Sequence, residues 1–157
     1  MRFLQALSLA LAVLFGSFSV SAAPDDEAAR LLARVNDFRT AHGLAPVVTD
    51  PKLSAAAQLH AEAMAESGAF SHDGPDGNLT ERLRRAGYAF ATAAENIGGG
   101  APTPEEAAAA WEQSPPHARN LLVPAVRDAG AGHAKASGPG QPFTDYWCLI
   151  LAEPAPP

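Results

Sequence analysis

The stretch Phe143-Thr144-Asp145-Tyr146-Trp147-Cys148-Leu149-Ile150-Leu151-Ala152 decides how this chain folds. Its aromatic and branched apolar residues are typical of a β-strand. Residues 126–136, just upstream, alternate small and polar side chains as a second strand would, and the turn-rich residues 137–142 connect the two segments. We therefore predict an antiparallel hairpin near the C-terminus.

Cys148 is the only cysteine of the chain, so the sequence excludes an internal disulfide. Because it lies inside the apolar stretch, we interpret Cys148 as a small buried side chain rather than a reactive thiol. The fold must then be held together by packing.

Four helices are predicted before the hairpin, from the helical spacing of apolar residues and from capping residues. They span residues 25–42, 51–67, 79–86 and 104–113. Asp50, Asn78 and Thr103 are the N-cap candidates of the last three, and the fourth helix ends before Pro115. Residues 88–97 are predicted to be partly extended, and the glycines at 98–100 to form a flexible break. Helices followed by a mostly antiparallel sheet predict an α+β fold.

The N-terminus has the pattern of a secretory signal peptide. Arg2 precedes an almost wholly apolar run at residues 3–20, and Val20-Ser21-Ala22 supplies the small residues of a cleavage site. Cleavage after Ala22 would leave residues 23–157 as a single, monomeric domain with a Pro-rich C-terminal tail, secreted or periplasmic. A membrane anchor is the alternative, although the apolar run is near the lower length limit for spanning a bilayer.

The chain carries 11 Lys and Arg against 17 Asp and Glu, a formal net charge of −6. This balance argues against a nucleic-acid partner, which requires a basic surface. It also argues against binding to anionic lipid headgroups by charge alone. We expect an extracellular ligand, and no membrane span in the mature domain.

Three short polar stretches contain the residues that could carry chemistry. His72 lies in Phe70-Ser71-His72-Asp73-Gly74, Glu95 in Ala94-Glu95-Asn96-Ile97, and His117 in Ser114-Pro115-Pro116-His117. Taken singly, each is typical of a solvated loop residue, a capping group or a structural salt bridge. Two histidines and a carboxylate that met in one cleft would form a small polar site able to hold a divalent metal.

These stretches belong to a longer series of motifs in a fixed order. The sequence resembles the CAP superfamily, also called the SCP-like or allergen V5/Tpx-1/PR-1 family, in its bacterial secreted form, over about residues 28–153. The matching motifs are Val35-Asn36-x-x-Arg39-x-x-x-Gly43-Leu44-x-Pro46, Leu53-x-x-Ala56-Ala57-x-x-His60-Ala61-x-x-Met64-Ala65, Phe70-Ser71-His72, Arg82-x-x-x-x-Gly87-Tyr88, Ala94-Glu95-Asn96-Ile97, Trp111-x-x-Ser114-Pro115-x-His117-x-x-Asn120-Leu121-Leu122 and Tyr146-Trp147.

The resemblance implies an α-β-α sandwich with a central, mostly antiparallel sheet. It also implies a cleft lined by two histidines and one or two acidic residues, for which the matching positions are His72, Glu95 and His117. Some family members bind a divalent metal, often zinc, through the two histidines, here His72 and His117. A second family carboxylate would stand at Ser114, which leaves one acidic residue at the site unless Glu112 turns inward.

The chain departs from the family pattern beside the second histidine. Pro116 replaces the usual glycine, and proline forbids positive φ, so we predict a different loop conformation before His117. The strand residues Ala129-Gly130-Ala131-Gly132 offer a thinner packing surface than usual. We interpret His133 as a surface residue of that strand and His60 as a packing residue of the second helix.

Four functions are compatible with these residues. The resemblance favours an extracellular binding module without an assigned reaction, whose cleft takes a lipid, peptide or glycan. The alternative is a zinc-dependent extracellular hydrolase in which His72 and His117 hold the metal and Glu95 is a ligand or general base. A nucleophile pair of Ser114 and His117 would need a third group to orient the histidine, and none is evident. Finally, His72, Glu95 and His117 could form a hydrogen-bonded structural cluster.

Overall fold

The structure is a computed structural model that describes residues 24–156. The predicted signal peptide, residues 1–22, lies outside the described residues. In chain order the elements are α1 (Pro24–Ala41), β1 (Val48–Thr49), α2 (Pro51–Ser67), α3 (Leu79–Arg85), β2 (Phe90–Gly99), α4 (Pro104–Gln113), α5 (Pro115–Leu121), β3 (Asp128–Lys135) and β4 (Asp145–Pro154). None of the helices in this part of the chain combines the length and the apolar content needed to cross a bilayer.

The four strands form one sheet in the order β1-β3-β4-β2. β4 pairs antiparallel with both β3 and β2, and the two-residue strand β1 runs parallel to β3. This arrangement confirms the predicted hairpin and the α+β class with a mostly antiparallel sheet. Gly98 and Gly99 pair with Trp147 and Tyr146, so β2 extends into the segment that was predicted to be a flexible break, because β4 offers it backbone partners.

Side chains of β4 are buried on both faces of the sheet. Trp147 and Leu149 join residues of α1, α4 and α5 in one apolar core, whereas Cys148 and Ile150 join residues of α2 and α3 in the other. Successive residues of a strand point to opposite faces, and a strand that is covered on both faces is apolar throughout. Helices on each side of the sheet make the α-β-α sandwich that the resemblance implied.

The cysteine and the helix caps follow the predictions. Cys148 is a free, buried thiol, and burial raises its pKa well above the ordinary value, which keeps it protonated and unreactive. Asp50 accepts hydrogen bonds from the first turn of α2, Asn78 and Glu81 form a capping box at α3, and Thr103 caps α4. These caps satisfy N–H groups that have no partner inside their helices.

The segment around Pro115 differs from the prediction. A further helix, α5, begins at Pro115 directly after Ser114, where α4 ends. The two prolines occupy the first turn of α5, where a helix needs no backbone N–H donor and where the fixed φ of proline suits the helix. Pro116 therefore lies in the first turn of a helix that also carries His117, and it does not force an irregular loop.

His133 is buried, which corrects its interpretation as a surface residue. Its ring stacks on Trp147 with the ring centroids 4.0 Å apart. Nδ1 lies 2.6 Å from Glu27 Oε2 and Nε2 lies 2.9 Å from Asp145 Oδ1. β3 is an inner strand that α1 covers, and the local pattern of small and polar residues does not reveal this cover.

Glycines let α2 rest directly on the backbone of β3. A Cβ atom at Gly132 would lie 2.4 Å from the Cα atom of Gln58, and one at Gly130 would lie 2.1 Å from the carbonyl carbon of Leu53. The small side chains predicted for β3 therefore allow α2 to pack directly against this strand. The close approach also sets the position of His60, which α2 carries.

Replacing Gly132 with alanine should destabilise the fold by about 1–3 kcal/mol, because the added methyl group overlaps the backbone of α2, which cannot rotate away as a side chain can. Urea denaturation followed by circular dichroism measures the change. Gly138→Ala is the matched control, since a Cβ atom at this position between β3 and β4 meets nothing within 4 Å. Equal stability of the two variants would contradict the close approach.

Candidate functional site

The carboxylate of Glu95 is the centre of a buried polar cluster. Its side chain is 3% exposed and projects from the edge strand β2 towards α2 and α3. Oε1 accepts a hydrogen bond from His72 Nδ1 at 2.8 Å, and Oε2 accepts from Arg82 Nη2 at 2.5 Å and from Cys148 Sγ at 3.5 Å. An isolated buried charge is strongly unfavourable, and these donors remove much of that penalty.

Opposing effects act on the protonation of Glu95. Burial by itself raises the pKa of this carboxyl group, because it disfavours the charged form. The hydrogen bond from His72 and the charges of Arg82 and the nearby His60 outweigh burial and leave the pKa below its ordinary value of 4.5. Glu95 is therefore ionised at neutral pH.

His72 lies in the loop between α2 and α3, with its ring 56% exposed. A carboxylate can only accept, so the contact with Glu95 places a hydrogen on His72 Nδ1. This hydrogen bond raises the pKa of His72 above the ordinary 6.5, although burial opposes it. Arg82 Nη1 donates to the His72 carbonyl at 3.0 Å. Arg82, which neutralises Glu95, therefore also fixes the loop between α2 and α3 that carries His72.

His117 approaches from the other face of β2, in the first turn of α5. Its Nδ1 lies 2.9 Å from Ser114 Oγ, and its carbonyl accepts from Asn96 Nδ2 at 3.2 Å. Burial lowers the pKa of His117 below 6.5, and the charge of His72 lowers it further. The ring is therefore neutral at neutral pH.

The structure brings the predicted residues together as two pairs. His72 is bonded to Glu95, and Ser114 is bonded to His117. Within residues 24–156 no side-chain hydrogen bond joins one pair to the other. Asn120 of α5 connects the two sides, because its Nδ2 donates to the backbone carbonyl of Glu95 at 3.1 Å.

A cleft of about 670 Å³ lies along the outer edge of β2, where the loop after α2, the helix α3 and the helix α5 meet. Charged and amide side chains contribute to its lining, among them His72, Asp73, Asn78, Arg84, Glu95 and Asn120. Both hydrogen-bond donors and acceptors are present, so the cleft can bind a polar molecule at several points.

The described residues contain no ready-made metal centre. No three His, Cys, Asp or Glu side chains between residues 24 and 156 are arranged to hold a metal ion together. Glu112, the alternative second carboxylate, accepts a hydrogen bond from Arg34 Nη2 at 2.8 Å, so it joins α4 to α1 instead of turning towards the cleft.

Sequence reasoning assigned no site role to two residues of the buried cluster, Arg82, which it quoted only as part of a motif, and Asp76, which it did not single out. An arginine within one turn of Leu79 and Leu83, on the inner side of a short helix, is a signal that could have revealed Arg82. Nothing local distinguishes Asp76 from other loop carboxylates. His60 is completely buried, as a packing residue should be, but its Nδ1 is bonded to Asp76 at 2.9 Å.

Replacing Glu95 with glutamine should destabilise the protein by about 3 kcal/mol at neutral pH, because the buried guanidinium of Arg82 loses its closest counter-charge. The difference from wild type should shrink as pH falls through the lowered pKa of Glu95, since the ionised carboxylate stabilises the fold only above it. It should also shrink as pH rises through the raised pKa of His72, because the protonated ring stabilises the fold only below it.

Urea denaturation of both proteins across this pH range measures the difference. Glu105→Gln is the matched control, because Glu105 forms an exposed ion pair with Arg30, and such pairs contribute little. A difference between wild type and Glu95→Gln that does not change with pH would count against the two pKa shifts.

Comparison with known proteins agrees with the motif series. The chain matches the family model of CAP, the cysteine-rich secretory protein family, over residues 32–151. It is 32% identical over 108 residues to the uncharacterized protein YkwD of Bacillus subtilis (strain 168), and this match covers 68% of the chain and 42% of that relative. The chain therefore spans less than half the length of this curated relative.

Solved structures share the fold. An extracellular protein containing an SCP domain from Bacillus anthracis has a TM-score of 0.74 at 24% identity, with 83% of this chain and 41% of that chain covered. An outer surface protein of Borrelia burgdorferi has a TM-score of 0.71 at 17% identity, with 81% and 92% covered. At these identities the likeness shows the fold alone. The family model, however, spans most of the sequence, and the chain belongs to the CAP, or cysteine-rich secretory protein, family.

Proposed function

We propose that this protein is an extracellular binding module that holds a zinc ion between His72, which lines the cleft, and His117 of the adjoining helix α5, and that takes a small polar ligand in the cleft. The observation that carries the proposal is that each of the two imidazole rings is hydrogen-bonded through Nδ1. Nδ1 of His72 is bonded to Glu95, and Nδ1 of His117 is bonded to Ser114. Within residues 24–156 neither Nε2 atom is hydrogen-bonded, so each ring keeps Nε2 for a ligand. Metal-binding histidines are commonly fixed through their other nitrogen in this way.

The donor set fits zinc, for which imidazole nitrogen is a common ligand. Two protein ligands would leave coordination positions for water or for a bound molecule, and zinc there would polarise an oxygen atom of that molecule. His117 suits the role because its lowered pKa keeps the ring neutral. The raised pKa of His72 means that protons compete with the metal, so zinc affinity should fall at acid pH.

The lining of the cleft favours a glycan or a peptide over a lipid. Arg84, Asn78 and Asn120 can donate hydrogen bonds to such a ligand, and Asp73 and Glu81 can accept them. An extracellular location is supported by two structural relatives, one described as an extracellular protein and the other as an outer surface protein. The predicted signal peptide agrees with it.

A zinc hydrolase is a poorer fit, because Glu95 is badly placed to act as a general base. A general base works best with a pKa near the working pH. Glu95 is instead bonded to His72 and Arg82, and its pKa is lowered. We therefore assign Glu95 the role of orienting His72, and we favour binding without turnover.

Zinc titration by calorimetry tests the proposal. The protein of residues 23–157 should bind one zinc ion, and the double variant His72→Ala/His117→Ala should lose at least about 100-fold in affinity, because both proposed ligands are gone. His42→Ala is the matched control, since His42 is an exposed histidine just after α1. The proposal is wrong if the double variant binds zinc as tightly as wild type.

A second candidate function rests on the contact between Ser114 and His117. A neutral histidine 2.9 Å from a serine hydroxyl could accept its proton and make it nucleophilic. However, among the described residues no side chain is hydrogen-bonded to Nε2 of His117 to orient the ring. We therefore expect a fluorophosphonate probe to leave the protein unlabelled when its mass is measured. Labelling that disappears in Ser114→Ala but persists in Ser71→Ala would support a hydrolase instead.

A further inference from the structure

We infer that a buried pair beneath the cleft, His60 with Asp76, positions Glu95 and His72 for ligand binding. The inference rests on the proposed function and extends that site by one layer of side chains. His60 projects from α2 and is completely buried, and it does not line the cleft. Asp76 lies in the same loop between α2 and α3 as His72.

Four side chains close a ring in which acids and bases alternate. Both carboxylate oxygens of Asp76 lie within 3.0 Å of His60 Nδ1, and His60 Nε2 lies 4.0 Å from Glu95 Oε1. Arg82 completes the ring, with Nη2 2.5 Å from Glu95 Oε2 and Nε 3.7 Å from Asp76 Oδ2. Each carboxylate thus lies between His60 and Arg82, with one of them at hydrogen-bond distance and the other at 3.7 or 4.0 Å.

The two longer sides of the ring end on buried nitrogen atoms that have no hydrogen-bond partner within residues 24–156. These atoms are His60 Nε2, which is nearest to Glu95, and Arg82 Nε, which is nearest to Asp76. Buried polar atoms in folded proteins are nearly always satisfied. Arg82 Nε always carries a hydrogen, so it favours positions of Asp76 that shorten their contact. The hydrogen bond to Asp76 places a hydrogen on His60 Nδ1, and His60 Nε2 attracts Glu95 in the ring form that carries a second hydrogen on Nε2.

The same pair anchors the loop that carries His72. Gly74 and Gly77 are joined by backbone hydrogen bonds in both directions, and this tight turn directs Asp76 back to α2. A Cβ atom at Gly74 would lie 2.6 Å from Asp76 Oδ1 and 3.2 Å from His60 Cε1. The glycine thus lets the loop backbone lie against the pair, and His60 acts on His72 through both Glu95 and the loop.

The variants His60→Phe and Asp76→Asn test the inference, because they keep the approximate size of the side chains. The first removes both ring nitrogens, and the second removes the negative charge that faces His60 and Arg82. We expect each to weaken zinc binding by about 10–100-fold, the usual effect of losing a group that orients a metal ligand. His133→Phe is the matched control, since His133 is another buried imidazole between two carboxylates, Glu27 and Asp145, away from the cleft. Its zinc affinity should stay within about twofold of wild type, because distant sites act independently.

A measurement without metal keeps this inference separate from the zinc proposal. Nitrogen-15 NMR at a pH where His72 is neutral shows which ring nitrogen carries the hydrogen, and in wild type the contact with Glu95 should hold it on Nδ1. In His60→Phe and Asp76→Asn we expect a mixture of the two tautomers, and in His133→Phe the wild-type signal.

The outcomes distinguish the two proposals. If wild type binds no zinc, the proposed function fails and the tautomer of His72 alone decides the inference. If zinc binds, a loss of affinity or a change of tautomer in both test variants supports it. Variants that retain the wild-type tautomer, and the wild-type zinc affinity where zinc binds, overturn it. If His60→Phe does not fold, Asp76→Asn decides by itself.

Discussion

The ion pair between Glu95 and Arg82 makes it possible for a negative charge to lie inside this protein. Both side chains are almost fully buried, and their oxygen and nitrogen atoms are 2.5 Å apart. Burying a charge without a partner is prohibitive, so α3 must lie where Arg82 reaches β2. Once there, the same guanidinium also binds the carbonyl groups of His72 and Gly77, which fixes the loop at the mouth of the cleft.

The position of the cleft follows from how the sheet is covered. Helices bury both faces of the inner strands β3 and β4, and the glycines of β3 bring α2 into backbone contact. The strand β2 lies at the edge, so groups from the two faces can meet around it. Glu95 and Asn96 point to opposite faces of this strand, and His72 and His117 are held on those two faces.

Predictions from the sequence succeeded where a local pattern had one meaning. The apolar run of β4 and the caps of α2, α3 and α4 were assigned from neighbouring residues alone. The predictions failed where a local pattern is compatible with two structures. A proline pair can end one helix or begin the next, and here it does both, since α4 ends before Pro115 as predicted and α5 begins there. His133 could not be assigned because its partner Glu27 is 106 residues away in the chain.

The sequence by itself determined most of the elements, the family and two of the residues that line the cleft, His72 and Glu95, because caps, apolar periodicity and ordered motifs are all local properties. Only the tertiary structure decided how these residues are used. It divided the expected cluster into a His72–Glu95 pair and a Ser114–His117 pair, and it placed Arg82, His60 and Asp76 around the buried carboxylate. The physical reason is that neutralising a buried charge depends on which side chains meet in space, and these come from four separate segments of the chain.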